Sequence, residues 1–348
     1  MGRAKDEYMR MNDGEPTGDS EISVCGECVG DVDLEKFVVA KADRTECSYC
    51  GRKSETLIAI GQDALVTRMY QSIGQVYTDA SNVLGYDSHE GGYQGTTYDG
   101  WDLMDEIGFA PNSDELYSDM QQTFSNITWC DRDAHVLNEA ERKAGAWEKF
   151  KRTIKHQRRY TFWSVKSDAV EAFHPDYLPV GKLLAAIGNT IHNAGDRVVK
   201  RYPIGSAFWR ARVQGNEPTF TQDTDLSPPP KAKATEANRM SPAGIVMFYG
   251  AEDFETACLE IVNKADEAGT ITGAAFVSTR ELLILNLFDV PKQPGFFNLG
   301  GADLRDDLSF LEGFATDIAK PVKNDKTQHI EYVPTQAFTE YIRYEQKL

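Results

Sequence analysis

Residues 238–260 read NRMSPAGIVMFYGAEDFETACLE. Arg239 sits among loop formers, Ser241, Pro242 and Gly244, which punctuate the chain as a turn. The β-rich run GIVMFYG (244–250) follows and predicts a short strand ending in Tyr249. Asp253 then opens a helical run that the spacing carries to Ala268. Glu260 lies on that helix, with Ala257 and Ile261 as its expected buried neighbours. A carboxylate on a packed helix is costly unless it has a partner or a role.

Working outward, SAFWRARV (206–213) and AAFVSTRELLILNLF (274–288) add further short β-rich runs. Short strands interrupted by a helix predict an α+β domain from about residue 196 to the end. Between them, FTQDTDLSPPPKAKATEANRMSPAG (220–244) carries three consecutive prolines, which exclude regular structure. Arg197, Lys200, Arg201, Arg210 and Arg212 cluster at the entry to this domain. Arg210 and Arg212 share one face of a strand, because side chains alternate with period two. Two guanidinium forks on one face suit a pyrophosphate. The same spacing also fits an exposed edge strand with solvated charges.

The first 195 residues read differently. Cys25–Gly–Glu–Cys28 and Cys47–Ser–Tyr–Cys50 form two CxxC pairs with eighteen residues between them. That spacing fits a four-thiolate zinc site, structural because four sulfurs leave no open position for water. Cys130 and Cys258 read as small core residues. Apolar residues at helical spacing run from Leu57 to Leu84, and helical text recurs at 102–106, 113–124, 140–156 and 180–194. The expected organisation is a flexible N-terminus (1–21), a zinc ribbon (22–52), a helical domain (53–195) and the α+β domain (196–348).

The formal charge of −17 disfavours direct binding to nucleic acid or anionic membranes. No stretch reaches the ~18 apolar residues of a membrane span. The polar N-terminus does not read as a signal peptide, so a cytoplasmic location is expected. The basic run KRTIKHQRRY (151–160) most simply forms a solvated or domain-facing helix surface. A sharper alternative is the Arg–His pair of HEPN-type RNases, for which Arg152–His156 and Arg132–His135 are the candidates, both spaced more tightly than is usual there.

Taken with FWRAR, the 238–260 stretch resembles the RES domain, named for its Arg, Glu and Ser. The resemblance matches Arg210 (or Arg212) to the first-strand arginine, Arg239 to a loop motif like G-R-[FM]-[NS]-P-x-G, and Tyr249 to the strand-end aromatic. Glu260 matches the acid of an A-x-x-E helix, and HIEYVPTQAFTEYIR (329–343) resembles a Y-x-x-T-Q segment. Residues 1–190 resemble the zinc-ribbon and helical HEPN/RES N-terminal domain, with GGYQGTTYDGWDL (91–103) as a further match.

The resemblance implies a fold similar to ADP-ribosyltransferase toxins, with NAD as substrate. It implies NAD glycohydrolase, phosphorylase or ADP-ribosyltransferase activity in a toxin or defence setting, and an antitoxin with a helix-turn-helix domain as partner. In that reading Arg210, Arg212 and Arg239 hold the diphosphate, Tyr249 orients the nicotinamide, and Glu260 stabilises the ribose cation. These residues are expected to converge on one pocket. The family's serine segment, which follows Y-x-x-T-Q, is not found before Leu348. That departure sets up an alternative in which the chain binds NAD or an antitoxin without turnover, and an uncovered sheet edge that favours a homodimer.

Overall fold

The computed structural model describes residues 14–165, 173–214, 222–262, 270–322 and 325–346. It is an α+β protein whose chain divides into two compact units, 1–138 with 293–306 and 139–292 with 307–348.

In the first unit, β1 (Ser23–Cys25) pairs antiparallel with β2 (Ala59–Gly61), bracketing helix α1 (Val32–Lys41). Asp31 starts α1 by accepting the amides of Asp33 and Leu34. The predicted helix of 57–84 is shorter than expected. Its first residues are taken by β2, α2 covers Gln62–Ile73, and β3 (Tyr77–Asp79) follows. Ala59–Gly61 are fully committed to the ladder with β1, so the helix begins only at Gln62.

A small hairpin of β4 (Tyr86–Asp87) and β5 (Gly92–Tyr93) occupies the glycine-rich stretch. Helices α3 (Gly100–Glu106) and α4 (Asp114–Phe124) follow, capped by Asp99 and Ser113, and β6 (Trp129–Asp131) returns to pair with β3. The N-terminal segment is tied down from Pro16 on. Pro16 and Gly18 are buried, and the Asp19 amide donates to Gln62 Oε1 at 2.7 Å. The part of the expected flexible terminus before Gly14 lies outside the described residues.

The main core cluster of this unit stands beside a smaller one of Ala80, Leu84 and Cys130. The main cluster includes Cys25, Cys28 and Cys47 together with Leu65, Met69, Leu103, Phe124, Trp129 and Phe297. The cysteine region is therefore not a free-standing tip; it shares its interior with the helices.

In the second unit, α5 (Glu139–His156) buries Ala140, Lys143, Ala146, Trp147, Phe150 and Ile154, a stripe at three- and four-residue spacing. Helix α6 (Leu183–Ala194) follows, and then the strands β7 (Val199–Tyr202) and β8 (Ala207–Gln214). Helix α7 spans Phe254–Val262, with Asp253 accepting from the amide and hydroxyl of Thr256. The predicted continuation from 263 to 268 lies outside the described residues.

Strand β9 (Thr270–Val277) pairs with β8 in register Arg210↔Ala274 and Arg212↔Thr272, and β10 (Leu282–Leu285) pairs with β7. Helices α8 (Ala302–Ala319) and α9 (Val333–Tyr344) complete the unit, whose part of α8 begins at Asp307. The aromatic core joins them: Trp147 lies edge-on to Phe314 at 4.9 Å, and Phe314 to Phe338 at 4.8 Å.

By packing, α5 belongs to the second compact unit, which begins at Glu139. The apolar stripe of α5 is the reason, since it packs on α6, α8 and α9. Residues 244–250 form no strand. Gly244, at φ +87, turns the chain, and its amide bonds to Ala234 O. Among the described residues the backbone after Gly244 then pairs with β8 only at the Trp209↔Ala251 bridge, with both amides donating at 2.7 Å. One bridge does not make a ladder. The proline-rich 220–244 stretch holds two short turns of helix, Asp223–Leu226 and Lys231–Lys233.

Candidate functional site

Three places carry chemistry, the first of them in the first unit. The Sγ atoms of Cys25, Cys28, Cys47 and Cys50 all lie within 4.8 Å of one another. Neighbouring pairs are 3.6 Å (Cys25–Cys28), 3.7 Å (Cys25–Cys50) and 3.8 Å (Cys28–Cys47) apart. Zinc–sulfur bonds of about 2.3 Å in a tetrahedron put sulfurs ~3.8 Å apart, so the spacing fits zinc. Three of the four are buried, and Gly51, at φ +67, turns the chain directly after Cys50. Burial pushes the Cys25 and Cys28 thiols up, while Cys47, despite burial, is drawn to about 7 by amides of Cys50 and Cys25. Buried sulfurs this close need a cation to ionise together. All four tetrahedral positions are filled by protein, so such a metal would hold structure and leave no place for a reactant.

The second place is one face of the β8–β9 pair. Arg210 and Arg212 point to it from alternate positions, as the period of two requires. The Arg210 guanidinium lies 5.6 Å from the Phe248 ring centroid, and Phe248 packs edge-on to Phe276 at 5.0 Å. Arg210 Nη1 is buried and has no hydrogen-bond partner among the described residues. Burial first, then the neighbouring Arg212, hold Arg210 below the usual arginine value, while the Tyr249 phenol acts in the opposite sense. A guanidinium stays charged under these conditions, so the half-buried Arg210 carries one buried donor with no hydrogen-bond partner among the described residues. Arg212 spends one donor on Ser227 O at 3.1 Å. The Tyr249 hydroxyl is 2.8 Å from the Ser241 hydroxyl, and Ser241 is buried.

The third place is a cleft of about 410 Å³ whose lining includes Lys151, Lys155, Arg239, Asp317, Lys320 and Tyr332. Arg239 donates Nη1 to Ile318 O at 2.8 Å. Lys151 and Lys320 reach Asp317 at 2.8 and 2.9 Å, and Trp147 Nε1 donates to it at 2.8 Å. Against the upward push of burial, these donors hold the Asp317 carboxyl down at about 2. Lys155 pairs with Glu331 at 2.6 Å.

The expected convergence on one pocket is not what the geometry gives. Arg210 and Arg212 share a sheet face, and Tyr249 is near enough to bias Arg210. Arg239 instead lines the cleft, which includes neither Arg210 nor Tyr249 nor Glu260. Glu260 is exposed on α7. That helix packs through Phe254 on Trp209, ring centroids 5.4 Å apart, and over Gly273. Trp209 and Gly273 alternate with Arg210 and Ala274, so α7 covers the opposite face of the sheet. Ala257 is buried there as expected, whereas Glu260, nearly one turn further on and about 60° round the helix from it, is exposed.

For RNase chemistry, Arg152, His156, Arg132 and His135 are all exposed. Sequence reasoning missed Ser241, Thr335 and Gln336 as parts of the site. Their signal was present in the S of RMSP and the TQ of YVPTQ, segments noticed for other reasons.

Residues 207–348 match the model of the RES domain, and residues 40–168 match that of HEPN/RES N-terminal domain 1. The chain is a RES domain protein. It carries, ahead of that domain, a HEPN/RES N-terminal domain. The RES family is linked to NAD-cleaving toxins, which ties the chain to an NAD-related role in a toxin system. No curated protein and no solved structure matches the chain. No helix among the described residues is long and apolar enough to cross a membrane.

Proposed function

We propose that the RES domain binds NAD and breaks its nicotinamide–ribose bond. The observation that carries this reading is the buried, unpaired Nη1 of Arg210 beside Arg212, in a domain linked to NAD-cleaving toxins. An orphaned buried donor on a charged group costs free energy that an anionic ligand recovers. The diphosphate of NAD supplies that anion, with oxygens matched to two guanidinium forks.

In the proposed reaction the C1′–N1 bond breaks and its electron pair leaves with nicotinamide, which becomes neutral. The ribose carbon becomes an oxocarbenium-like cation, and water, phosphate or a protein nucleophile takes it, giving glycohydrolysis, phosphorolysis or ADP-ribosyl transfer. Tyr249 orients the nicotinamide, Arg239 belongs to the same binding apparatus through its loop, and Glu260 is the carboxylate proposed to stabilise the cation. A helix-turn-helix antitoxin is the proposed macromolecular partner, and the protein acts in the cytoplasm, with zinc held by the four cysteines.

A second reading, NAD or antitoxin binding without turnover, is favoured by Glu260, which is exposed on a helix covering the face away from Arg210. Nicotinamide release from NAD, in buffer with and without phosphate, decides between them. Release establishes the enzyme. Binding measured by calorimetry without release establishes the binding module, and absence of both sinks the NAD reading.

A further inference from the structure

The segment Tyr332–Gln336 opens α9, and its Thr335 and Gln336 side chains go to the loop that carries Arg239. Thr335 Oγ1 donates to Arg239 O at 2.5 Å. Gln336 Nε2 donates to Asn238 O at 2.7 Å and to Ser241 O at 3.3 Å. One turn further on, Thr339 Oγ1 meets Met240 Sδ at 3.2 Å. The loop is also closed on itself, Asn238 N donating to Ser241 O at 2.8 Å and Ser241 N to Asn238 O at 3.3 Å. Thr335, Gln336 and Ser241 are each buried. Carbonyls 238, 239 and 241 are thus all met by side chains of one helical turn.

We infer that Thr335 and Gln336 are positioning residues that hold the 238–241 loop in the one conformation that fixes both Arg239 and Tyr249. Two outputs leave the loop. The Arg239 guanidinium goes into the cleft, where Ile318 O orients it, and the Ser241 hydroxyl reaches the Tyr249 phenol. A tight turn bearing an arginine has few contacts of its own to fix its side-chain direction. Capping its carbonyls from a rigid helix removes that freedom before any ligand arrives, which is where preorganisation acts on affinity. The alternative, that the clamp only adds packing, makes the same contacts but transmits nothing to Arg239 or Tyr249.

The functional half of this inference rests on the NAD reading above, so its test needs a second readout. The variants are Thr335→Val, which keeps shape and removes the hydroxyl, Thr335→Ser, which restores it, and Gln336→Leu. Each is made in the full chain, with far-ultraviolet circular dichroism and zinc content as folding controls. Amide hydrogen exchange of peptides covering 238–249 is followed without NAD, and NAD KM and kcat, or Kd where turnover is absent, are measured alongside.

The expected result is exchange at 238–241 faster by about tenfold in Thr335→Val and Gln336→Leu, with wild-type behaviour in Thr335→Ser. NAD KM or Kd rises by about tenfold in the same two variants, while kcat stays within about twofold. Unchanged exchange overturns the clamp. Faster exchange with unchanged NAD parameters, in a chain that does bind NAD, overturns positioning and leaves packing. A wild-type chain that neither binds nor cleaves NAD sinks the NAD reading, and the exchange comparison then decides the clamp by itself. Should Gln336→Leu fail to fold, the Thr335 pair carries the test.

Discussion

Lys143 Nζ lies 2.6 Å from Asp307 Oδ1, a pair 164 residues apart in sequence and almost sealed from water. Both members have further partners. Thr190 Oγ1 accepts from Lys143 at 2.8 Å and donates to Asp307 at 2.9 Å, and Asn193 Nδ2 donates to the second carboxylate oxygen at 2.9 Å. Burial would raise the Asp307 pKa, but Lys143, Asn193 and Thr190 hold it below the usual carboxylate range. Removing one partner leaves an uncompensated charge, so Lys143→Ala is expected to cost about 3–5 kcal/mol. The double variant Lys143→Met with Asp307→Leu should cost less than Lys143→Met alone or Asp307→Leu alone. Urea unfolding of those three variants checks this, and a double variant less stable than both singles would refute it.

The cysteine centre predicts about one zinc per chain after preparation without chelator. Because Cys25, Cys28 and Cys47 belong to the same core as Leu65, Met69 and Trp129, metal loss should loosen the whole first unit and not a terminal tip alone. Cys28→Ser with Cys47→Ser should abolish zinc by elemental analysis. It should also raise amide exchange in α2 and α4 while the second unit keeps its protection. Wild-type protein with no zinc would overturn the metal assignment.

Asp317 predicts an acid limb in the stability of the second unit. Its folded pKa, about 2, is depressed below the ordinary carboxylate value. Its stabilisation is therefore complete above about pH 4 and disappears as the pH falls towards 2. The shift corresponds to about 2 kcal/mol at neutral pH. Asp317→Asn should lower stability at pH 7 and flatten the stability profile between pH 4 and 2. Unfolding curves with identical slopes against pH in the two proteins would show that Asp317 is not the group concerned.

Arg210 and Glu260 separate binding from chemistry in the proposed NAD reaction. Arg210→Ala removes the buried donor and should weaken NAD binding by ~10- to 100-fold, from the 1.5–3 kcal/mol of a charged hydrogen bond. Glu260→Gln should lower kcat by ~100-fold or more with little change in KM, if the carboxylate meets the ribose cation as proposed. Nicotinamide release at saturating NAD is the measurement. A Glu260→Gln chain as active as wild type would remove Glu260 from the mechanism and leave the arginines standing.

Much of the architecture was legible because it is written in short-range periodicity. The amphipathic spacing of 140–156, the alternation in FWRARV and the paired CxxC turns each encode a local geometry that survives in the structure. The failures are long-range. Nothing near GIVMFYG announces that only Ala251 finds a partner on β8, so β propensity was met by an irregular segment. The buried stripe of α5 is plain in the sequence, but what it packs against is not, and that decides which unit it joins. Arg239 and Tyr249 are ten residues apart in one motif, yet Arg239 lines the cleft while the Tyr249 hydroxyl meets Ser241 and Tyr249 is not in that lining. Glu260 follows from the same logic. Helical period puts it on the same side as the buried Ala257, so spacing alone did not announce its exposure.

The alternation along β8 also makes strand register a matter of folding fidelity. Phe208, Arg210 and Arg212 share one side, Trp209 and Ala211 the other, where Phe254 and Gly273 wait. Sliding β8 by a single residue against β9 would drive both guanidiniums beneath α7 and lift Trp209 to the side that Arg210 and Arg212 now occupy. Single-residue insertions or deletions between Ser206 and Gln214 should thus be among the least tolerated changes in the chain, whereas pairs of residues could be added near its ends with the sidedness kept. An insertion scan scored by soluble yield would then show a two-residue rhythm, a trace of sheet geometry in a purely genetic experiment.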